Sequence, residues 1–310
     1  MKSLLTCLLA CLALSPALVR AELHYADKTD LQVRHDMRSN RASRDQYRIR
    51  YYPSLSLSAY SSWSLNAFAV TGDDFSASHN TFGESDQGVH VRRLYLRHQA
   101  DYGKTEFGVI PTYKGRVSSS GLSKDGWIEG LRHVRLLPDD SQLELVVGQL
   151  NNTQPGRALS LPDKADYIEL EYSARIDQSQ SYEFSLERMT GGNFARAEYR
   201  HRFTSGRTAF AELVHRLDES GTKAVVGLSG EFHLGQYPVS FFTHYSYVSD
   251  GLGARAELTE DFLGTGHGAS AEFDGVLSHQ HRLDWFVRID VIDSVSRLLT
   301  GIKLSFAHGQ

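Results

Sequence analysis

In DYIELEYSARI, Asp166 to Ile176, every second residue is apolar. Ile168, Leu170, Tyr172 and Ala174 share one face of an extended chain, while Glu169, Glu171 and Ser173 share the other. The same period returns in RLDWFVRIDVI, where Leu283, Trp285, Val287, Ile289 and Val291 oppose Arg282, Asp284, Arg288 and Asp290. It returns again in SYEFSLERM, TKAVVGLSGEFHL and HGASAEFDGVL, and helical spacing runs over no comparable length. A chain patterned this way makes two-faced strands, and each face needs its own environment.

Sixteen segments carry the pattern: 30-38, 46-57, 62-71, 89-101, 104-110, 128-137, 141-150, 165-176, 179-189, 193-203, 206-217, 222-234, 236-249, 266-277, 280-291 and 295-306. Several reach the roughly 10 residues that a tilted strand needs to cross a bilayer. The longest connections, 72 to 88, 111 to 127, 151 to 164 and 250 to 265, all follow odd-numbered segments. Tight links such as Asp101-Tyr102-Gly103, Pro138-Asp139-Asp140 and Thr204-Ser205-Gly206 follow even-numbered ones. Long loops on one rim and short turns on the other predict an all-β fold, a closed antiparallel transmembrane β-barrel with both termini on the periplasmic, short-turn side. Omitting the pair 104-110 and 128-137 leaves fourteen strands with the same alternation, so sixteen is the first expectation and fourteen the second.

A soluble periplasmic β-sandwich is the rival, since it also alternates. Against it stand the meander-like regularity and the aromatics near segment ends, Tyr47, Tyr51, Tyr60, Trp63, Tyr102, Tyr182, Tyr237 and Tyr247, where a girdle would meet lipid headgroups. After the first segments no stretch approaches the roughly 18 consecutive apolar residues of a spanning helix.

Residues 1-21 read as a cleaved signal peptide: Lys2, an apolar run from Leu4 to Leu14, Pro16, and a small-residue ending at Ala21. Residues 22-310 are then the barrel domain. Removing the leader takes Lys2, Arg20 and both cysteines, Cys7 and Cys11, leaving all 37 acidic residues against two fewer than the 33 basic ones. A cysteine-free exported chain rests on its core, on lipid or on a closed hydrogen-bond network. Thiol catalysis and cysteine-ligated metals are excluded for it, and its acidic balance argues against a nucleic acid partner.

The run QYRIRYYPSLSLSAYSSWSLNAFAVTGDDF (Gln46 to Phe75), followed by VRRLYLRHQADYGKTEFGVIP (Val91 to Pro111), resembles the opening strands of the phosphate-selective porin family of Gram-negative bacteria. The likeness lies in an Arg-rich second strand, a Trp-Ser-Leu start to the third, a Thr-Gly-Asp-Asp end and an Arg-Arg-x-Tyr-Leu fourth strand. The last strand, VSRLLTGIKLSF, similarly resembles the C-terminal signature read by the barrel-insertion machinery, although Ala307-His308-Gly309-Gln310 follow its Phe306. The resemblance implies a water-filled diffusion channel in the outer membrane, commonly a homotrimer, in contact with lipid and lipopolysaccharide.

If the apolar positions face lipid, the opposite set lines the lumen: Arg93, Arg97, Glu169, Glu171, Glu183, Glu187, Arg196, Arg200 and Arg202, with Glu198, Lys223, Glu231, Glu272, Asp284, Arg288, Asp290 and Lys303. So many charges require either water or dense salt bridges. The segment Pro111 to Trp127 stands where sixteen-stranded porins fold a loop inward, and its Lys114, Arg116 and Lys124 are candidates for a pore constriction. An ordinary solvated loop is the plainer reading of the same residues. The acidic loop 72 to 88 offers oxygen ligands for a divalent cation at the lipopolysaccharide surface, but its spacing matches no calcium loop and solvation suffices. No G-x-S-x-G or H-E-x-x-H is present, so neither an enzyme nor a resident metal or cofactor is expected. A passive channel for small hydrophilic solutes is the leading reading. A non-conducting structural or export-assembly barrel, closed by luminal salt bridges, and a lipid-modifying enzyme stay as alternatives.

Overall fold

The computed structural model describes residues 23–57, 61–75, 79–111, 127–150, 161–189, 191–252, 265–293 and 295–309. Its strands are β1 (His24–Arg38), β2 (Arg41–Ser56), β3 (Trp63–Gly72), β4 (Asn80–Thr81), β5 (Gly88–Ala100), β6 (Gly103–Pro111), β7 (Trp127–Leu136), β8 (Gln142–Leu150), β9 (Tyr167–Arg175), β10 (Gln180–Met189), β11 (Gly192–Arg202), β12 (Thr208–Arg216), β13 (Gly221–Leu234), β14 (Tyr237–Val248), β15 (Gly266–Ser278), β16 (Leu283–Ile292) and β17 (Val295–His308).

Every neighbouring pair is antiparallel, and β17 returns to β1, from Asp27↔His308 to Arg38↔Arg297, so the sheet closes on itself. Sixteen of these strands form the ring; β4 is a two-residue graft that continues the edge of β2 past the end of β3. Closure excludes the sandwich, because a sandwich keeps two sheets with free edges and a closed ring has none. Both described chain ends lie on the rim that carries the short turns.

The strands also extend past the segments read from the pattern. β1 and β2 pair from His24↔Ser56 to Arg38↔Arg41, so their hairpin is the longest, and its lower half was hidden because Asp27 and Thr29 put polar side chains where apolar ones were sought. The turn at Asp101 and Tyr102 needs glycine after it: Gly103 has φ 144°, and a Cβ there would lie 1.9 Å from the Val134 carbonyl oxygen.

What sets the fold apart from a soluble one is which face is covered. On neighbouring strands Leu170, Leu186 and Leu213 are 47%, 46% and 50% exposed, while Glu171, Glu187 and Glu212 are 2%, 4% and 3% exposed. The alternating apolar set therefore covers the outside of the ring and the charged set fills the inside. Only a closed ring with every backbone group paired can hold such an outer surface in hydrocarbon. Trp63, Tyr102 and Tyr237 are exposed at the short-turn rim, and Tyr245 and Tyr247 near the other, as an aromatic girdle requires. Tyr60 lies outside the described residues.

Candidate functional site

The inner wall is organised by arginines that each gather carboxylates from several strands. Arg196 on β11 places Nε 2.8 Å from Glu212 of β12, one terminal nitrogen 2.6 Å from Glu198, and the other against Glu183 of β10 and 3.8 Å from Glu171 of β9. Lys223 of β13 adds a second cation 3.8 Å from Glu212, and Arg200 adds a third 3.0 Å from Glu198. A second node joins β5 to β8: Glu106 meets Arg97 at 2.7 Å, Arg132 at 3.4 Å and Lys104 at 3.8 Å, and Arg132 reaches Glu144 at 2.8 Å. At the long-loop end Asp36 of β1 holds Arg297 of β17 at 3.0 Å and Arg41 at 2.6 Å. These nodes tie neighbouring strands together where a charge would otherwise be stranded in the wall.

Exposure divides the wall in two. From β6 to β13, Glu106, Arg132, Glu169, Glu183, Arg196 and Lys223 are all at or below 1% exposed. Above them, toward the long loops, Ile110, Ile128, Val146, Tyr167, Met189, Phe194, Val214 and Val248 form an apolar cluster inside the ring. From β15 through β17 to β2, by contrast, Glu272, Asp274, Asp284, Arg288, Lys303, Arg34, Arg48 and Arg50 are only half-buried. The wettable charge lies on this second arc. Its β2 arginines stand eight places round the ring of sixteen from β11, facing the carboxylate-rich arc of β9 to β12.

Two devices aim side chains into the lumen. In β5 the register slips between Phe68↔Arg93 and Ala69↔Val91, so Arg92 is an extra residue and both arginines are buried. Their guanidiniums lie over Phe75 at 5.9 Å and Phe68 at 4.9 Å. Beside them, Arg34 donates to Gln46 Oε1 at 2.8 Å, Gln46 donates to Thr81 Oγ1 at 3.2 Å, and Thr81 donates to Asp73 at 3.0 Å. His79 lies 2.9 Å from Gln32, and burial together with the nearby Arg34, Arg48 and Arg50 holds its imidazole far below the ordinary range and hence neutral. Asp73, one of the loop carboxylates considered for a cation, is thus engaged by Thr81.

The second device pairs phenylalanine with glycine. Phe210 of β12 lies across Gly227 of β13, where a Cβ would meet the ring Cζ at 2.2 Å, and Phe242 of β14 stacks on it at 5.1 Å with the planes 8° apart. Phe286 of β16 likewise covers Gly301 of β17 and is capped by Lys303 Nζ 5.1 Å above the ring.

The residues expected in the lining are placed as follows. Arg93, Glu169, Glu171, Glu183, Glu187 and Arg196 lie on the covered inner face and are buried; Arg97 and Arg200 are half-buried, and Arg202 is exposed at the short-turn rim. Lys114, Arg116 and Lys124 lie outside the described residues. Sequence reading missed Glu106, Arg132, Glu144 and Glu212, all in register with the same alternation, and Phe210 and Phe242, whose only signal is an apolar ring on the polar face. Among the described residues no group of three His, Cys, Asp or Glu side chains is arranged to hold a metal ion. His201, His215 and His244 sit apart on three strands, and His279 to Arg282 form a turn.

No family model matches the chain, and no curated protein matches it by sequence. The fold is matched by a triple mutant of the porin of Rhodopseudomonas blastica, at 10% identity and TM-score 0.61, over 92% of this chain and 99% of that one. OpdQ of Pseudomonas aeruginosa matches at 7% identity and 0.57, over 93% and 99%, and OprB of Pseudomonas putida at 12% and 0.57, over 94% of both chains. The fold is that of these solved structures; the residues filling it are this chain's own.

Proposed function

We propose that this chain is a passive, porin-like channel for small hydrophilic solutes in the bacterial outer membrane, reached after loss of residues 1-21, with both termini periplasmic. The observation that carries this reading is the inverted surface: a closed ring of sixteen strands, apolar outside and charged inside. Sixteen strands enclose a cross-section wide enough for water unless something fills it. The solute path runs along β15 to β2, where the luminal charges are half-buried, while the β6 to β13 arc is a dry, ion-paired wall. Lys114, Arg116 and Lys124 are proposed to set the narrowest point of that path. Assembly as a homotrimer, contact with lipopolysaccharide, delivery by the barrel-insertion machinery and the lack of a catalytic role belong to the same reading.

One observation favours a second reading. The near-complete burial of the Arg196 and Arg132 nodes is what a structural barrel closed by salt bridges would show. Single-channel recording of the refolded mature chain in a planar bilayer separates the two. Discrete steps in salt are expected, and with a salt gradient Lys114→Glu, Arg116→Glu and Lys124→Glu together should move the reversal potential toward cations. A folded but silent barrel would favour the structural reading.

A further inference from the structure

Inside the ring, charged and hydroxyl-bearing side chains dominate the half-buried arc, and an aromatic ring presented to that lumen is out of place. Phe286 is not left so: it is 5% exposed, with Lys303 above its face. Phe242 differs. It is half-buried, it stacks edge-aligned on Phe210 over the bare backbone of Gly227, and among the described residues no cation lies over it. Gly227 is what lets the floor lie flat, since any side chain there would occupy the position of the Phe210 ring.

The polar groups bordering this floor are of both signs. Glu272 is the register partner of Phe242 on one side and of Arg288 on the other, and both charged residues are half-buried. Arg288 is oriented by Nε donating to Asp290 at 2.9 Å, and Arg200 stands 5.9 Å from the Phe210 ring at the far edge. An anion would meet Glu272, and a cation would meet Arg288 and Arg200. A neutral ring bearing hydroxyls satisfies both, because each hydroxyl donates to a carboxylate and accepts from a guanidinium while its C–H face rests on the aromatic floor.

Resting on the channel reading above, we propose that Phe242, backed by Phe210 and flanked by Glu272 and Arg288, is a binding platform for neutral, ring-shaped polyhydroxylated solutes of monosaccharide size, and that it sets the preference of the pore. The floor explains why a glycine and two phenylalanines occupy polar-face positions on three successive strands.

The test is ion current through the refolded mature chain, read first in plain salt and then with glucose or with the open-chain alditol sorbitol added. Block is expressed as a fraction of each variant's own open current. Glucose is expected to reduce the current reversibly, and sorbitol to do so far less. Phe242→Ala should raise the half-blocking glucose concentration roughly tenfold, the worth of one lost stacking contact, and Phe242→Trp should restore it. Where Phe242→Ala gives no heat-modifiable, folded barrel, Glu272→Gln keeps the floor and removes the acceptor, and weaker block is again expected. Glucose without effect on a conducting pore, equal block by sorbitol, stronger block by benzoate, or block unchanged in both variants would each overturn the platform alone. A barrel silent in plain salt would instead remove the channel reading on which it rests.

Discussion

Phe210 lies flat on Gly227, its Cζ where a Cβ at 227 would come within 2.2 Å, and the Thr243 carbonyl oxygen stands 2.5 Å from the same point. Neither neighbour can yield cheaply: one is a ring stacked on Phe242, the other is backbone. Gly227→Ala should therefore destabilise the barrel by about 1–3 kcal/mol, the usual cost of overpacking. Urea unfolding in lipid vesicles, followed by gel mobility, would measure it. Stability equal to the parent would mean that the ring has room to lift.

Arg196 is surrounded by carboxylates on β9, β10, β11 and β12, all buried. Replacing it by leucine leaves those charges facing one another without their shared cation, a change that costs about 3–5 kcal/mol in buried pairs. Adding Glu212→Gln should recover part of the loss, since one repelling charge is then gone and the two positions touch. Strict additivity in that double-variant cycle would show that the node is not coupled.

The short turn between β9 and β10 carries a pH dependence of known sign. Asp177 accepts hydrogen bonds from Ser179 Oγ at 2.8 Å, Ser179 N at 2.7 Å and Gln180 N at 2.8 Å, and the Ser179 hydroxyl above all holds its carboxyl below the usual carboxylate range. Because the folded value lies below the unfolded one, the turn's contribution is full above the unfolded value and fades as pH falls through the folded one. Asp177→Ala should thus be less stable than the parent at neutral pH and converge with it in strong acid. A constant difference across that range would assign the loss to packing.

Much of the fold is legible in the chain because side-chain alternation survives in nearly every strand. Leu170 and Glu171 point apart in any extended conformation, and the parity of long and short connections then closes the ring. The charge nodes were not legible. Arg196 meets Glu212 only because Val214 pairs with Arg196 and Glu198 with Glu212, and a slip of one residue would turn every one of these side chains to the opposite face. Arg92 and Arg93 read as one inward and one outward residue, since a bulge leaves no mark in a period-two pattern. Asn80 is hidden for another reason: its side-chain amide bonds to Gly88 N and O at 3.3 Å each, completing by side chain a ladder that backbone pairing leaves open.

The bulge itself can be tested by deleting Arg92. Regular pairing of β5 with β3 would then carry Val89 and Val91, 71% and 43% exposed on the outer face, to the inside, and draw His90 outward. Loss of folded barrel, or a shift of about 2 kcal/mol or more from two misplaced valines, is expected. A deletion variant of parent stability would mean that the slip is absorbed in the loop before β5.

The division of the lumen into a wet arc and a dry one makes a prediction that single cysteines can read, because the chain beyond residue 21 contains none. Cysteines replacing Arg48, Arg288 and Lys303 stand on the half-buried arc, and a charged, membrane-impermeant methanethiosulfonate should reach each of them and lower the conductance as it attaches. A cysteine at Ser185, 0% exposed on β10 between Glu183 and Glu187, should react on the order of tenfold or more slowly, since reactivity follows access of the thiolate to solvent. The comparison is internal, with one fold, one reagent and one membrane, so it separates path from wall without reference to any solute. Equal rates round the ring would mean that the ion-paired wall is bathed in water and that the path is central.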